Sequence, residues 1–295
     1  MSAILVTFPG KLGDLLWALP TVREISRLAG APVDLMLGDY CAPLVELLQE
    51  GCKDYLAAVV VNPEWKVQMT APVSPRVPPS FVGASRYARV HHARVYHLGY
   101  DGWPGEPLPF EIYHTATGQG LSRVLSMRPW IYVPPERRLT ASPTVYLGFT
   151  DEWFELKLGL VHILDRELDD VAGLRAIMPP TSRWETAPWP AGGMARREPE
   201  GWDWLTTARA LAACDLYVGD LSAQWVLANA MGIPCVVVEP SEPRHNPIFW
   251  WDGPTLTDGK PRNVMVRGGD GRPTFDARAV VKEVKEALER LGRRG

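Results

Sequence analysis

Three short segments carry residue types suited to a charged, phosphate-bearing substrate. The first is Gly10-Lys11-Leu12-Gly13-Asp14, which follows an apolar run and opens a helical pattern. Its glycines allow close backbone approach to a ligand. Asp14 has two readings: a helix N-cap, or a carboxylate base aimed at a substrate hydroxyl. The second is Val218-Gly219-Asp220-Leu221-Ser222-Ala223-Gln224, a small-residue turn running into a helix. A strand, a small-residue turn with Ser222 and a helix N-terminus make a pyrophosphate cradle there; the plainer reading is a βα loop with Ser222 as N-cap. The third is Gly148-Phe149-Thr150-Asp151 with Lys157 in the helix beyond it. Thr150 can donate to a phosphate. Lys157 lies about one turn too deep to do so unless the helix starts late. None of these turns is G-x-G-x-x-G or G-x-x-x-x-G-K-[ST], so dinucleotide and P-loop chemistry are not supported. The six histidines (His91, His92, His97, His114, His162, His245) show no H-E-x-x-H and no paired-Cys spacing, so no metal site is expected. Cys41, Cys52, Cys214 and Cys235 form no C-x-x-C pair and have no evident base partner.

The elements that must position these turns follow from periodicity. Ala3–Phe8 reads as a strand, Leu15 to Leu28 as a helix ended by Gly30, and Val33–Leu37 as a second strand: a βαβ start with a parallel sheet. Pro20 falls inside the helical pattern and should kink it. Pro43–Leu48 reads as a short helix and Leu56–Val61 as a strand. Residues 62–110 are proline-rich, with Ala93–Leu98 the one clear strand. A linker over 131–143 precedes a restart: strand 144–148, helix 153–168, strand 174–178, helix 204–213, strand 216–218, helix 225–231, strand 235–238 and a terminal helix 276–291. The spacing therefore predicts an α/β protein of two units of similar size, 1–138 and 139–272, with the helix of 273–295 following. Parallel sheets would aim all three turns the same way, and two such domains would enclose a cleft with a carboxylate on one side and an anion cradle on the other.

Composition narrows the partners. Among 295 residues, 31 Lys+Arg stand against 34 Asp+Glu, a net charge of −3, which argues against a polybasic coat for nucleic acid or membrane. A local patch is another matter. Between Glu64 and Asp101 there is no acid, while Lys66, Arg76, Arg86, Arg89 and Arg94 are all basic. The bland reading is a solvated loop face; the sharper one is an anionic acceptor held by residues such as Arg86 and Arg89. The apolar runs are too short for a membrane span, and neither a signal peptide nor a disulfide framework is visible, so a cytoplasmic protein is expected. Twelve Trp serve as core fillers or as stacking surfaces for flat ligands; Trp184, in the Pro/Trp/Gly-rich loop 179–199, is the candidate for stacking on a nucleobase.

Two blocks carry a resemblance. Gly13-Asp14-Leu15-Leu16-Trp17-Ala18-Leu19-Pro20 is similar to the G-D-x-x-x-x-x-P opening of the ADP-heptose–lipopolysaccharide heptosyltransferase family, the family 9 glycosyltransferases. Cys214 to Ala223, followed by Leu227 to Pro234, resembles that family's late motif D-L-x-V-G-x-D-[ST]-G-x-x-H-L-A-A-A-L-G-x-P. The resemblance implies a GT-B fold of two Rossmann-like domains facing across a cleft, with the acceptor bound mainly by the first domain and the nucleotide sugar by the second. It further implies a terminal helix returning to the first domain, and an inverting, metal-independent transfer. It assigns the base to Asp14 and phosphate contacts to Ser222, Ala223 and Gln224, and by a looser mapping to Thr150 and Lys157. Gly10, Lys11 and Gly13 would lie on the acceptor side. The late motif's Asp falls on Leu221, with Asp220 one place early, its Gly on Ala223 and its His on Val226. An Asp beside a pyrophosphate is repelled, so Asp220 is expected to point away or to bind a sugar hydroxyl.

The first function reading is thus a glycosyltransferase, taking a sugar from a nucleoside-diphosphate sugar to a phosphorylated glycan or a modified nucleic-acid base, with no other cofactor. Two alternatives stand beside it. One is a non-catalytic nucleotide-sugar or glycan-binding protein, favoured by the altered late motif and opposed by Asp14. The other is a nucleotide-sugar epimerase, which would need more acid/base groups than the sequence advertises.

Overall fold

The computed structural model describes residues 4–65, 94–100, 107–117, 125–135, 143–150, 154–168, 175–178, 195–197, 203–239, 263–267 and 276–292. These belong to two compact units, the first holding the described residues up to Tyr132 and the second those from Val133.

In the first unit, β1 (Ile4–Phe8), β2 (Val33–Gly38), β3 (Leu56–Asn62) and β4 (Arg94–His97) form a sheet of order β3-β2-β1-β4 with every pairing parallel. β1 and β2 are buried along almost their whole length, as parallel strands covered on both faces must be. Between them runs α1 (Leu12–Ala29), which packs Leu15, Leu16, Leu19, Val22 and Ile25 inward. Gly30 closes it in the left-handed region at φ 68°, where a glycine avoids the Cβ penalty. Pro20 does not break this helix. It removes the N–H that the Leu16 carbonyl would accept, and the Trp130 indole N–H donates to that carbonyl instead, at 3.0 Å. The expected helix at 43–48 is a 3₁₀ turn (Asp39–Leu44) leading into α2 (Val45–Gly51). A helix that the proline content had hidden, α3 (Leu108–Thr117), packs on α1. The expected linker begins inside this unit: Ile131 is buried and the Tyr132 N–H donates to the Gly51 carbonyl at 2.9 Å.

The second unit comprises β5 (Thr144–Gly148), α4 (Phe154–Glu167), β6 (Arg175–Met178), β7 (Ala195–Arg197), α5 (Trp204–Ala212), β8 (Leu216–Gly219), α6 (Ala223–Met231), β9 (Cys235–Glu239), β10 (Asn263–Arg267) and α7 (Ala277–Gly292). Its sheet runs β10-β9-β8-β5-β6-β7, again all parallel. β7 and β10 were not anticipated from the sequence. The terminal helix α7 is built into this unit's core. Its apolar stripe, Val280, Val281, Val284, Ala287 and Leu288, joins the second unit's core with Leu160, Leu164, Val218 and Val236. It packs on α4 and on β8, β9 and β10, because those residues recur at helical spacing and need a sheet face to cover.

The ends of β5 and β8 approach so closely that only glycine fits. A Cβ on Gly219 would meet the Gly148 carbonyl group, its carbon at 2.7 Å, and the Tyr217 hydroxyl at 2.6 Å. Since the obstacle is backbone, Gly219→Ala is expected to destabilise the protein by about 1–3 kcal/mol in urea unfolding. An unchanged midpoint would show that the strand ends part easily.

Candidate functional site

Strand order decides where a ligand can sit. In the first sheet the chain builds outward from β1 through β2 to β3, then returns to the far side of β1 as β4. In the second it runs β5, β6, β7 one way and β8, β9, β10 the other. The order therefore reverses between β1 and β4, and between β5 and β8. In open parallel sheets the carboxyl ends of the two strands flanking such a reversal are where ligands bind. Both groups of candidate residues fall there.

At the first reversal, Asp14 follows β1 and Tyr100 follows β4. The Tyr100 hydroxyl donates to Asp14 Oδ2 at 2.9 Å. Asp14 is not the N-cap. Lys11 occupies that position, without a side-chain cap bond, and Asp14 lies in the first helical turn. Its carboxyl is only partly exposed. The surrounding protein pushes its pKa upward, opposed by the Tyr100 hydrogen bond and the charge of Lys11. Gly13 lies in the same turn, and the Gly10 carbonyl accepts from Cys41 Sγ at 3.2 Å. Burial, with the Asp14 charge as a smaller cause, pushes the Cys41 thiol up to about 12, so it stays protonated and is no nucleophile. Beside this group Thr7 Oγ1 and His97 Nδ1 lie 2.7 Å apart, and burial lowers the His97 pKa, favouring the neutral ring.

Tyr100 was missed by the motif reading, although its position two residues beyond a legible strand at the sheet's reversal was a usable signal. Because its hydrogen bond holds the Asp14 pKa down, Tyr100→Phe should raise that pKa further. For a group that works deprotonated, the acidic limb of the pH–rate profile then moves to higher pH. A limb that stays in place, or moves down, would disconnect the two residues.

At the second reversal, α4 starts at Phe154, so Lys157 sits in its first turn after all. It is 2% exposed. Its ammonium donates to the Thr150 carbonyl at 3.1 Å, to Thr150 Oγ1 at 2.9 Å and to Asp220 Oδ2 at 2.5 Å. Asp220 Oδ2 also accepts from the Thr150 N–H at 2.9 Å and the Thr150 hydroxyl at 2.6 Å. Asp220 thus turns its carboxylate to Thr150 and Lys157 at the end of β5. It is drawn in by the buried lysine, which needs a counter-ion. Beneath them, Tyr217, buried and stacked on Tyr146, donates to the Gly148 carbonyl at 2.8 Å and lies 3.3 Å from Ser222 Oγ. Ser222 is the N-cap of α6 without a side-chain cap bond. Ala223 and Gln224 open that helix, so their N–H groups have no acceptor within it. They form, with the helix dipole, the anion-favouring end of the site.

Arg86, Arg89 and Trp184 lie outside the described residues. Arg94, the described member of the basic stretch, stacks over the Tyr96 ring at 4.5 Å. The four cysteines are buried and form no disulfide. Among the described residues there is no cluster of three or more His, Cys, Asp or Glu side chains that could hold a metal ion, and no helix long and apolar enough to cross a membrane.

No protein-family model matches the sequence, and no curated protein does. Solved structures do. E. coli ADP-heptose LPS heptosyltransferase II is similar over 99% of this chain and 100% of its own, with a TM-score of 0.63 and 15% identity. The glycosyl transferase family 9 structure from Veillonella parvula DSM 2008 gives a TM-score of 0.64 at 12% identity over 97% of each chain. TibC, an iron-containing dodecameric glycosyltransferase from enterotoxigenic E. coli H10407, gives 0.51 at 15% identity, covering 98% of this chain and 76% of that one. At such identities the likeness speaks for the fold. The chain has the two-unit α/β fold of GT-B type seen in the heptosyltransferases, and the resemblance read from its two sequence blocks holds at that level.

Proposed function

We propose that the protein is a glycosyltransferase that moves a sugar from a nucleoside-diphosphate sugar to a hydroxyl of an anionic acceptor, inverting the anomeric centre without a metal. The observation that carries this is the division of chemistry between the two strand-order reversals. One holds a carboxylate of raised pKa, and the other a lysine, a threonine and an uncommitted helix N-terminus. Asp14 takes the proton of the acceptor hydroxyl, whose oxygen attacks the anomeric carbon opposite the leaving nucleoside diphosphate. The charge that develops on the leaving group is met by the N–H groups of Ala223 and Gln224 and by the Ser222 hydroxyl, with Thr150 and Lys157 beside them; the Ser222 N–H is held by the Asp220 carbonyl at 3.0 Å. A structural neighbour, E. coli heptosyltransferase WaaC, has been solved with ADP, which makes an ADP-sugar the first donor to try.

The test is release of nucleoside diphosphate from ADP-heptose and other nucleotide sugars, with and without acceptors and with EDTA. Acceptor-dependent release supports the reading, and the anomeric configuration of the product checks inversion. Loss of activity in EDTA would overturn metal independence, a live comparison given the iron of TibC. An altered sugar without diphosphate release would instead identify an epimerase. The non-catalytic reading is favoured by one observation, the complete internal engagement of Lys157, and would show as donor binding with no release. The anionic acceptor is tested by salt: its affinity should fall steeply from low to moderate ionic strength, and a flat response would sink that part.

A further inference from the structure

The polar network at the end of β5 is closed on itself. All three ammonium protons of Lys157 are committed, two of them to Thr150 and one to Asp220. The Thr150 N–H and hydroxyl are committed to the same carboxylate oxygen. One oxygen, Asp220 Oδ2, therefore accepts from three donors, a surrounding that fits a phosphate oxygen equally well. The other oxygen, Oδ1, is buried and accepts no bond from the described residues. Lys157 and Asp220, both buried, cancel in charge.

We propose that Asp220 is a resident anion, occupying with its own carboxylate the place between Thr150 and Lys157 that a substrate diphosphate takes, so that donor binding requires this carboxylate to move aside. The inference rests on the nucleotide-sugar reading and adds a residue that sets donor affinity. A diphosphate arriving at the site competes with an anion already held by three donors, and the lysine engages it only when the Lys157–Asp220 pair opens. Asp220 in this role is a specificity-determining residue that weakens binding of diphosphates generally. Donors are left to be chosen by the groups they carry beyond the diphosphate.

The probe is inorganic pyrophosphate in EDTA, titrated calorimetrically into the full chain, so that no nucleoside or sugar contact contributes. Asp220→Asn keeps an acceptor oxygen for Thr150 and removes the charge. It is expected to bind pyrophosphate at least about tenfold more tightly than wild type, and adding Lys157→Met should abolish the gain. Equal or weaker binding by Asp220→Asn overturns the proposal, as does a gain that survives loss of Lys157. If Asp220→Asn is too unstable to titrate, it is refolded with excess pyrophosphate. Recovery of the native fold supports the proposal, because phosphate then replaces the carboxylate; failure to recover overturns it. Failure of the glycosyltransferase reading itself shows elsewhere, as absence of acceptor-dependent diphosphate release by wild type.

Discussion

Replacing Asp14 by asparagine is expected to lower turnover at least ~100-fold while leaving donor affinity within about twofold, since the amide cannot accept the acceptor's proton. The fold should survive. Burial raises the Asp14 pKa in the native state, so between its unfolded and folded pKa values the native protein binds more protons than the unfolded chain. Its contribution to stability therefore falls as pH rises through that window, and at neutral pH the ionised carboxylate is a burden. The amide also keeps an acceptor for the Tyr100 hydroxyl. Asp14→Asn should thus match or exceed wild type in thermal stability at neutral pH. Near-normal turnover in this variant would remove Asp14 from the chemistry. A large loss of stability would make it a structural residue.

Lys157→Met is expected to destabilise the second unit by roughly 3–5 kcal/mol, because removing one partner of a buried pair leaves the other charge uncompensated. For a unit of this size that corresponds to a fall in Tm on the order of 10 °C. Here the lysine is 2% exposed and Asp220 8%, so solvent offers limited relief. Adding Asp220→Asn to Lys157→Met removes the stranded charge and keeps an oxygen for the Thr150 N–H and hydroxyl. More than half of the lost stability should return. A Lys157→Met protein within ~1 kcal/mol of wild type would mean that the pair opens to water far more than its burial indicates. A double variant no better than the single one would mean that the lysine's aliphatic stem, not its charge, holds the site. The two large effects are independent in kind: one is expected to remove activity and keep the fold, the other to remove fold stability through the Lys157–Asp220 pair.

Much of the fold was legible because parallel strands buried on both faces leave an unmistakable record. Val33–Leu37, Thr144–Gly148 and Cys235–Val238 read as short apolar runs between helical patterns, and all three are strands. The helix Leu108–Thr117 was hidden by the prolines that surround it, and β7 and β10 are too short or too mixed in polarity to stand out. Of the candidate site, Asp14, Thr150, Lys157 and Ser222 stand out in the sequence because each follows a readable strand, where ligand-binding turns belong. Tyr100 and Tyr217 do not stand out in the same way: a lone tyrosine has no side-chain pattern that separates a packing role from a polar one, and for Tyr100 only its place beyond a strand pointed to the site.

What the sequence by itself determined is most of the elements and the turns that follow the carboxyl ends of β1, β5 and β8. Apolar periodicity and glycine placement are local properties, and they are written residue by residue. Tertiary structure alone decided the partners: Tyr100 with Asp14 across 86 residues, Asp220 with Lys157 across 63, and Trp130 on the carbonyl that Pro20 leaves bare. It also decided that α7 covers the second sheet. Such pairings depend on strand order, and strand order is set by which crossover buries the most apolar surface, a sum over the whole unit that no single stretch of chain records.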